Sequence, residues 1–162
     1  MLPYVPLIVI CLSSLIIGVF SANAYTRSYL VLQNVKIYVN NVEVFANTTY
    51  VISINFSVYN PSDGELKIAY IKPLIYLNLI NVELEEPSFI KYPSGNELPI
   101  LAHKNVTILL QKRIKSIYFP QIYNSTEQKL WTFNVYISLK GVPLLDFATL
   151  NRYVRYLQSG SV

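Results

Sequence analysis

The feature that most constrains the fold is a period of two in side-chain polarity, which runs through most of the chain after Thr26. It is clearest in "YVISINFSVYN", "NVTILLQ" and "WTFNVYI". Period two is what a strand with one buried face requires. The apolar sets are Ile52, Ile54, Phe56 and Val58; Val106, Ile108 and Leu110; and Trp131, Phe133, Val135 and Ile137. The pattern therefore predicts half-buried antiparallel strands.

Three further stretches have strand character with interruptions. "NVKIYVNNVEVF" places its first apolar residues on one face and then crosses Asn40-Asn41, which predicts a tight turn or a bulge. "LKIAYIKPLIYLN" contains Pro73, which cannot donate to a ladder and indicates an edge or a bulge. "EEPSFIKYPSGNELP" predicts a short strand among turns. About seven strands separated by turn residues favour an all-β class, an antiparallel β-sandwich.

The end of the chain is the exception to this period. In "LLDFATLNRYVRYLQ" an approximate helical stripe predicts a short C-terminal helix. The alternative is a final strand that carries Tyr153 and Tyr156. The stripe consists of Leu144, Phe147, Leu150, Val154 and Leu157.

The first 26 residues contain no charged side chain, although the whole chain is 52% apolar and 14% charged, against about 25% charged in an ordinary domain. A helix of about 20 apolar residues can span a bilayer. Ser21-Ala22-Asn23-Ala24 also resembles a signal-peptide cleavage site. Anchor and signal both place residues 27–162 outside the cytoplasm as one β-sandwich domain. No basic residue precedes the segment, so an inverted topology is a third reading.

Asn60-Pro61 interrupts the chain between two strands. Proline removes a backbone donor and keeps the preceding residue extended. Asn60 can bond nearby backbone, and Ser62, Asp63 and Gly64 favour a turn. The motif therefore predicts a structural stop.

A strand that ends in Asn-Pro and precedes "LKIAYIKPLIYLN" resembles the group-2 late-embryogenesis-abundant family, also called the water-stress and hypersensitive-response (WHy) domain. "LPILAHKNVTILLQKRI" and "WTFNVYISLKG" are similar to later segments of that family, so the resemblance covers Tyr29 to Gly141. It implies an immunoglobulin- or fibronectin-III-like sandwich, an N-terminal membrane tether, and a role in stress protection and binding. The high Tyr, Ile and Asn content also looks like an archaeal surface protein.

Residues that could carry catalysis or hold a metal are sparse. His103 is the only histidine, and Cys11 lies in the apolar segment, so a disulfide within the domain and a conventional zinc site are both excluded. Glu83 and Glu85 could share a strand face and meet a cation, but a solvated face is the simpler interpretation. We expect no enzyme, no cofactor and no metal site.

Four sequons and a set of tyrosines are the surface signals. The acceptor asparagines are Asn47, Asn55, Asn105 and Asn124, as an exported domain would carry. Tyrosines along the predicted strands could stack on glycans or a protein, although cross-strand pairing also explains them. They are Tyr29, Tyr38, Tyr50, Tyr59, Tyr70 and Tyr76.

The net charge is +4, and its densest cluster is Lys112, Arg113 and Lys115, with Arg152 and Arg155 near the end. The cluster indicates a solvated strand end or a contact patch for an anionic surface.

We expect contact with a membrane through the N-terminal helix, cell-surface proteins or glycans as partners, and no nucleic acid. The predicted function is binding, structural support or stress protection. The alternative is a subunit of a surface filament or layer that donates a strand near "YLVLQNVKIYV" to a neighbour.

Overall fold

A long N-terminal helix precedes a body made mostly of antiparallel strands. The computed structural model describes residues 4–46, 49–123, 128–142 and 147–158. The helices are α1 (Val5–Asn34), a 3₁₀ turn (Ser116–Tyr118) and α2 (Phe119–Tyr123). The strands are β1 (Lys36–Ala46), β2 (Tyr50–Tyr59), β3 (Leu66–Leu77), β4 (Ile80–Asn81), β5 (Ile90–Lys91), β6 (Leu98–Ile100), β7 (Asn105–Arg113), β8 (Lys129–Lys140) and β9 (Ala148–Gln158).

The strands form two antiparallel sheets around one core. The first sheet has the order β1-β2-β7, and the second has β4-β3-β8-β9 with β5 and β6 also paired to β3. Phe56 of the first sheet meets Phe133 of the second edge to face, with 5.6 Å between ring centroids. The described residues contain nine strands rather than about seven, because β3 pairs with three short segments along one edge. The prediction of a mainly antiparallel β body behind an apolar helix is confirmed.

The predicted apolar faces form the core. Ile52, Ile54, Phe56 and Val58 of β2 have no exposed surface, and β8 buries its predicted set equally well. The register shifts between Val39 and Asn41, so the Asn-Asn pair forms a bulge. Pro73 lies in β3 between the short stretch paired with β5 and the one paired with β4, where neither strand bonds to it. The missing N–H of proline is tolerated in such a gap.

The predicted C-terminal helix is wrong, since residues 148–158 form strand β9. β9 pairs with β8 over its whole length, from Lys129↔Gln158 to Leu139↔Ala148. Its alternate residues Ala148 and Leu150 are buried in the core, and Val154 packs against it. Hydrogen bonding to β8 therefore overrides the local stripe, of which Leu144 lies outside the described residues. The alternative, a strand carrying Tyr153 and Tyr156, is the one observed.

Helix α1 continues beyond Thr26 to Asn34, so Tyr29 is helical and the strand predicted from "YLVLQNVKIYV" begins only at Lys36. The helix is long and apolar enough to span a membrane, and its most apolar window makes no buried contact with the body. Toward its end, by contrast, Ser28 is buried. Val31 and Leu32 pack against the core cluster. The last turns of α1 thus belong to the body.

Arg152 of β9 fixes the end of this helix. Its guanidinium donates to the carbonyl oxygens of Leu32 (2.6 Å), Gln33 (3.2 Å) and Val35 (3.4 Å). The last carbonyls of a helix lack intrahelical donors and carry partial negative charge, which a cation compensates. Arg152 therefore joins the C-terminal end of α1 to the second sheet.

Candidate functional site

The outward side of β3, β8 and β9 is the face with the most distinctive chemistry. Its side chains are mostly aromatic, hydroxyl-bearing, amide or basic, with three leucines, and none of them is Asp or Glu. Strand alternation and the pairing of β3, β8 and β9 give the outward positions. They are Lys67, Tyr70, Lys72, Leu74, Tyr76, Leu130, Thr132, Asn134, Tyr136, Ser138, Lys140, Thr149, Asn151, Tyr153, Arg155 and Leu157. This face could therefore present cations and ring faces together.

Two adjoining cavities indent this face. One of about 320 Å³ is lined by Tyr70, Lys72, Tyr136, Ser138 and Thr149. The other, of about 450 Å³, also touches Tyr70 and Ser138 and continues to Lys140. Because they share two side chains, the cavities are neighbours across three strands, and we call the pair the outer groove. Grooves that combine ring surfaces with a few polar groups are typical of ligand sites.

An ion pair closes one end of the outer groove. Lys140 bonds the carboxylate of Glu97, whose side chain is only 5% exposed. The Lys140 ammonium, with help from backbone N–H groups that include that of Gly95, lowers the pKa of Glu97 to about 2. Lys140 also lies 4.7 Å from the ring centroid of Phe147. Because Lys140 is neutralised by this pair, Lys72 and the exposed Lys91 are the other cations that line the groove, and no described carboxylate lies within ion-pair distance of either.

Asn134, in the middle of the same face, carries an unsatisfied amide. The residue is 6% exposed, and its amide nitrogen donates to the Tyr153 hydroxyl at 3.3 Å. The amide oxygen is buried and accepts no hydrogen bond within the described part of the chain. A buried polar atom without a partner costs stability. Such an atom beneath a binding face is a candidate contact.

The predicted basic patch is largely paired with the acidic cluster. Lys115 bonds Glu83 at 2.5 Å, and Glu86 lies 3.5 Å from Lys112 and 3.9 Å from Arg113. The hydrogen bond from Lys115 to Glu83 raises the pKa of that lysine. The two clusters thus neutralise each other at the end of β7, and the arrangement favours a solvated strand end over a free cationic patch.

Asn60-Pro61 forms the stop that the sequence predicts, with partners far along the chain. Asn60 is fully buried, and its amide donates to the carbonyls of Gly64 (2.8 Å), Ile100 (2.9 Å) and Leu101 (3.2 Å). Its oxygen accepts from the backbone N–H of Ser62 at 2.9 Å and from its hydroxyl. Three segments are joined by one side chain, so the motif is structural.

The described sequon asparagines lie away from the outer groove. Asn55 of β2 and Asn105 of β7 belong to the first sheet, where Asn105 is exposed and Asn55 is half-buried beside Asn40. Asn47 and Asn124 lie outside the described residues. The described acceptors therefore occupy the sheet opposite the groove.

The remaining predicted groups do not assemble into a reactive centre. His103 lies 3.0 Å from the exposed Asp63, and Cys11 is exposed on α1. Among the described residues no three His, Cys, Asp or Glu side chains cluster as metal ligands would. Tyr70 and Tyr76 were singled out from the sequence, whereas Tyr136, Asn134 and Lys72 were not. The sequence could have indicated these residues, because in "WTFNVYI" and "LKIAYIK" they occupy the strand face opposite the predicted core.

Comparisons with known proteins give a likeness of fold. No family model matches the chain, and no curated protein matches it. A solution structure of an Arabidopsis thaliana protein matches with a TM-score of 0.58 at 12% identity, covering 75% of this chain and 79% of that one. Two others match with lower TM-scores. A crystal structure of an Archaeoglobus fulgidus protein has a TM-score of 0.42 at 12% identity, covering 77% of this chain and 95% of that one. A solution structure described as a late embryogenesis abundant protein has 0.40 at 13%, covering 87% and 83%. The body of this chain therefore shares its fold with the Arabidopsis thaliana protein.

Proposed function

We propose that the chain is a membrane-anchored binding protein whose β body stands outside the cytoplasm and carries no catalytic activity. The observation that carries the proposal is the way in which α1 is attached to the body. Its apolar part is free of the body, while its last turn is held by Arg152. Cleavage after Ala24 would leave Leu32 and Gln33 with the body, but α1 runs through residues 21–24 without a break, so the apolar part is continuous with the turn that Arg152 holds. A continuous helix of this kind suits an anchor that holds a domain close to the bilayer.

The chemistry along α1 supports this placement. Tyr25 and Tyr29 are exposed, and Arg27 is the first charge of the chain. Aromatic and basic residues at the end of an apolar helix are typical of the membrane–water interface. We place the interface near Tyr25, with the remaining turns of α1 leading to the body.

An extracytoplasmic location is supported by the surface asparagines. Asn55 and Asn105 both belong to sequons, and neither is part of the core cluster. Glycosylation requires acceptors that the transferase can reach. The exposed Asn105 meets that condition on the first sheet, where Asn55 is half-buried.

The proposed role is binding, with structural support or stress protection as its outcome for the cell. The resemblance of Tyr29 to Gly141 to the WHy family suggests that role, together with an immunoglobulin- or fibronectin-III-like sandwich, and the likeness of fold is consistent with it. The surface offered for binding is the outer groove. Family membership and the archaeal character are parts of this proposal.

The filament alternative is less favoured by the pairing of β1. That strand pairs with β2 of the same chain from Lys36↔Tyr59 to Ala46↔Tyr50. On its other side, Asn41 and Val42 are contacted by Tyr156 and Gln158 of β9. A subunit that completes a neighbour would leave such a place open.

The proposal is tested on intact cells of the source organism. The protein should stay in membranes after alkaline carbonate extraction, and external protease should cut the β body once any surface layer is stripped. Asn55→Gln and Asn105→Gln should each reduce the mass of the native protein by one glycan. Asn151→Gln, an exposed asparagine outside any sequon, is the matched control and should leave the glycan mass unchanged. An unglycosylated, protease-protected protein would place the domain inside and end the proposal.

A further inference from the structure

We infer that the outer groove binds an acidic polysaccharide, a chain of sugar rings bearing carboxylates. The inference rests on the proposed binding function and gives it a ligand class. Three properties of the groove carry it, namely its charge, its ring surfaces and its hydroxyl lining.

The charge of the face is one-sided. Lys72 lines the groove and Arg155 is exposed farther along, and no described carboxylate lies within 4.0 Å of either. On the opposite sheet, Lys112 and Lys115 are paired with glutamates. Cations without carboxylate partners attract an anionic ligand and form charge-assisted hydrogen bonds with it.

The lining favours sugar over a protein or a lipid. Tyr70 and Tyr136 supply ring faces, and Ser138 and Thr149 supply hydroxyls, all within one cavity. Tyrosine combines an apolar ring with a polar tip, which suits a ligand whose rings have C–H faces and hydroxyl edges. A protein partner would instead require an apolar centre to its interface. Leu74, Leu130 and Leu157 are the leucines of the face, and none of them lines the two cavities.

The position of the groove also fits a polymer. The two cavities adjoin at Tyr70 and Ser138, and together they extend from Thr149 to Lys140. The described sequon asparagines, Asn55 and Asn105, are on the other sheet, so glycans at these two positions would not cover the groove. Asn134 offers a further contact when Tyr153, which is 74% exposed, rotates away from its amide.

The test uses the full chain in detergent micelles, with polygalacturonate as the probe and calorimetry as the measurement. Fully methyl-esterified polygalacturonate keeps the rings and removes the charge, and should bind at least tenfold more weakly. Lys72→Gln should weaken binding of polygalacturonate about tenfold, the value of one charge-assisted hydrogen bond. The matched control is Lys36→Gln, which also removes one positive charge, at an exposed position on β1. It should change the affinity less than twofold.

Asn134→Leu separates binding from folding. The variant removes a buried oxygen that has no described partner, so its melting temperature should equal or exceed that of the wild type, while its affinity falls several-fold. A structural role alone would lower the melting temperature and leave affinity unchanged.

Two results would overturn the inference. Equal binding of the acid and its ester would remove the role of charge, and equal losses for Lys72→Gln and Lys36→Gln would reduce the binding to net charge. Tighter binding of oligothymidylate than of polygalacturonate would assign the face to a nucleic acid instead. Because the assay uses purified protein, it is independent of the protease and glycan results that test the location of the domain.

Discussion

At the scale of single residues, Asn60 joins segments that are forty residues apart. It bonds Gly64 within its own turn, and Ile100 and Leu101 at the end of β6. Gly141 packs against the same turn, where its φ of +85° favours glycine and a Cβ would lie 2.6 Å from the Glu65 carbonyl oxygen. Sequence reasoning finds the turn because its chemistry is local. It cannot find Ile100 or Leu101, because backbone carbonyls leave no mark in a sequence.

Asn60→Ala should therefore cost much more than Pro61→Ala. The first removes the side-chain donor to the buried Ile100 carbonyl and the acceptor of the Ser62 N–H, and should lower the free energy of unfolding by about 3 kcal/mol. The second only frees the unfolded chain and should cost about 0.4–1 kcal/mol. Thermal unfolding of the full chain in detergent measures both. Pro61→Ala also creates a sequon at Asn60, which should stay unmodified in the folded protein because Asn60 is buried. Equal costs would mean that the network is incidental.

Glu97 predicts a specific dependence of stability on pH. Its folded pKa of about 2 is below the ordinary value of 4.5, chiefly through the hydrogen bond from Lys140. A lowered carboxyl pKa stabilises the fold above the unfolded pKa, and the stabilisation is lost as pH falls from about 4.5 to about 2. Glu97→Gln should flatten the melting temperature over that window. Glu65→Gln, which removes an exposed pair with Lys67 at 3.4 Å, should not.

At the scale of elements, the sequence predicts best those strands whose two faces differ. β2, β7 and β8 alternate cleanly, and each buries the face that alternation assigns. β9 was predicted as a helix because Leu150, Val154 and Leu157 also fit a period near 3.6. Its backbone bonds to β8 decide the outcome, and a local pattern contains no information on that partner. The outer groove was missed for the same reason, since it needs the register of three strands.

The junction of α1 with β9 gives the prediction for this scale. Arg152→Ala removes the donor shared by the Leu32 and Gln33 carbonyls and should lower the free energy of unfolding by about 2 kcal/mol. Hydrogen exchange should quicken at the amides of residues 28–35. Arg155→Ala removes an exposed arginine three residues away and should stay within about 0.5 kcal/mol of wild type. If both variants behave alike, Arg152 does not hold the helix.

At the scale of the whole molecule, helix α1 and the β body share residues, so a division of the chain at Thr26 differs from one at Asn34. Ser28 is buried, and Val31 and Leu32 pack against the core. The last turns of α1 therefore contribute to the body, even though the apolar part of the helix does not. A cut before these turns should preserve the fold, and a cut after them should damage it.

Two truncations test this. Residues 27–162 retain Ser28, Val31, Leu32 and the carbonyls that Arg152 caps, and should unfold cooperatively with a β-type circular dichroism spectrum and no metal requirement. Residues 36–162 lose these groups, leave the Arg152 guanidinium without its partners and expose core surface, so their melting temperature should be lower by several degrees or more. Restoring only residues 27–35 restores the contacts without adding the apolar segment. Equal melting temperatures for the two fragments would mean that α1 is attached to the body without supporting it.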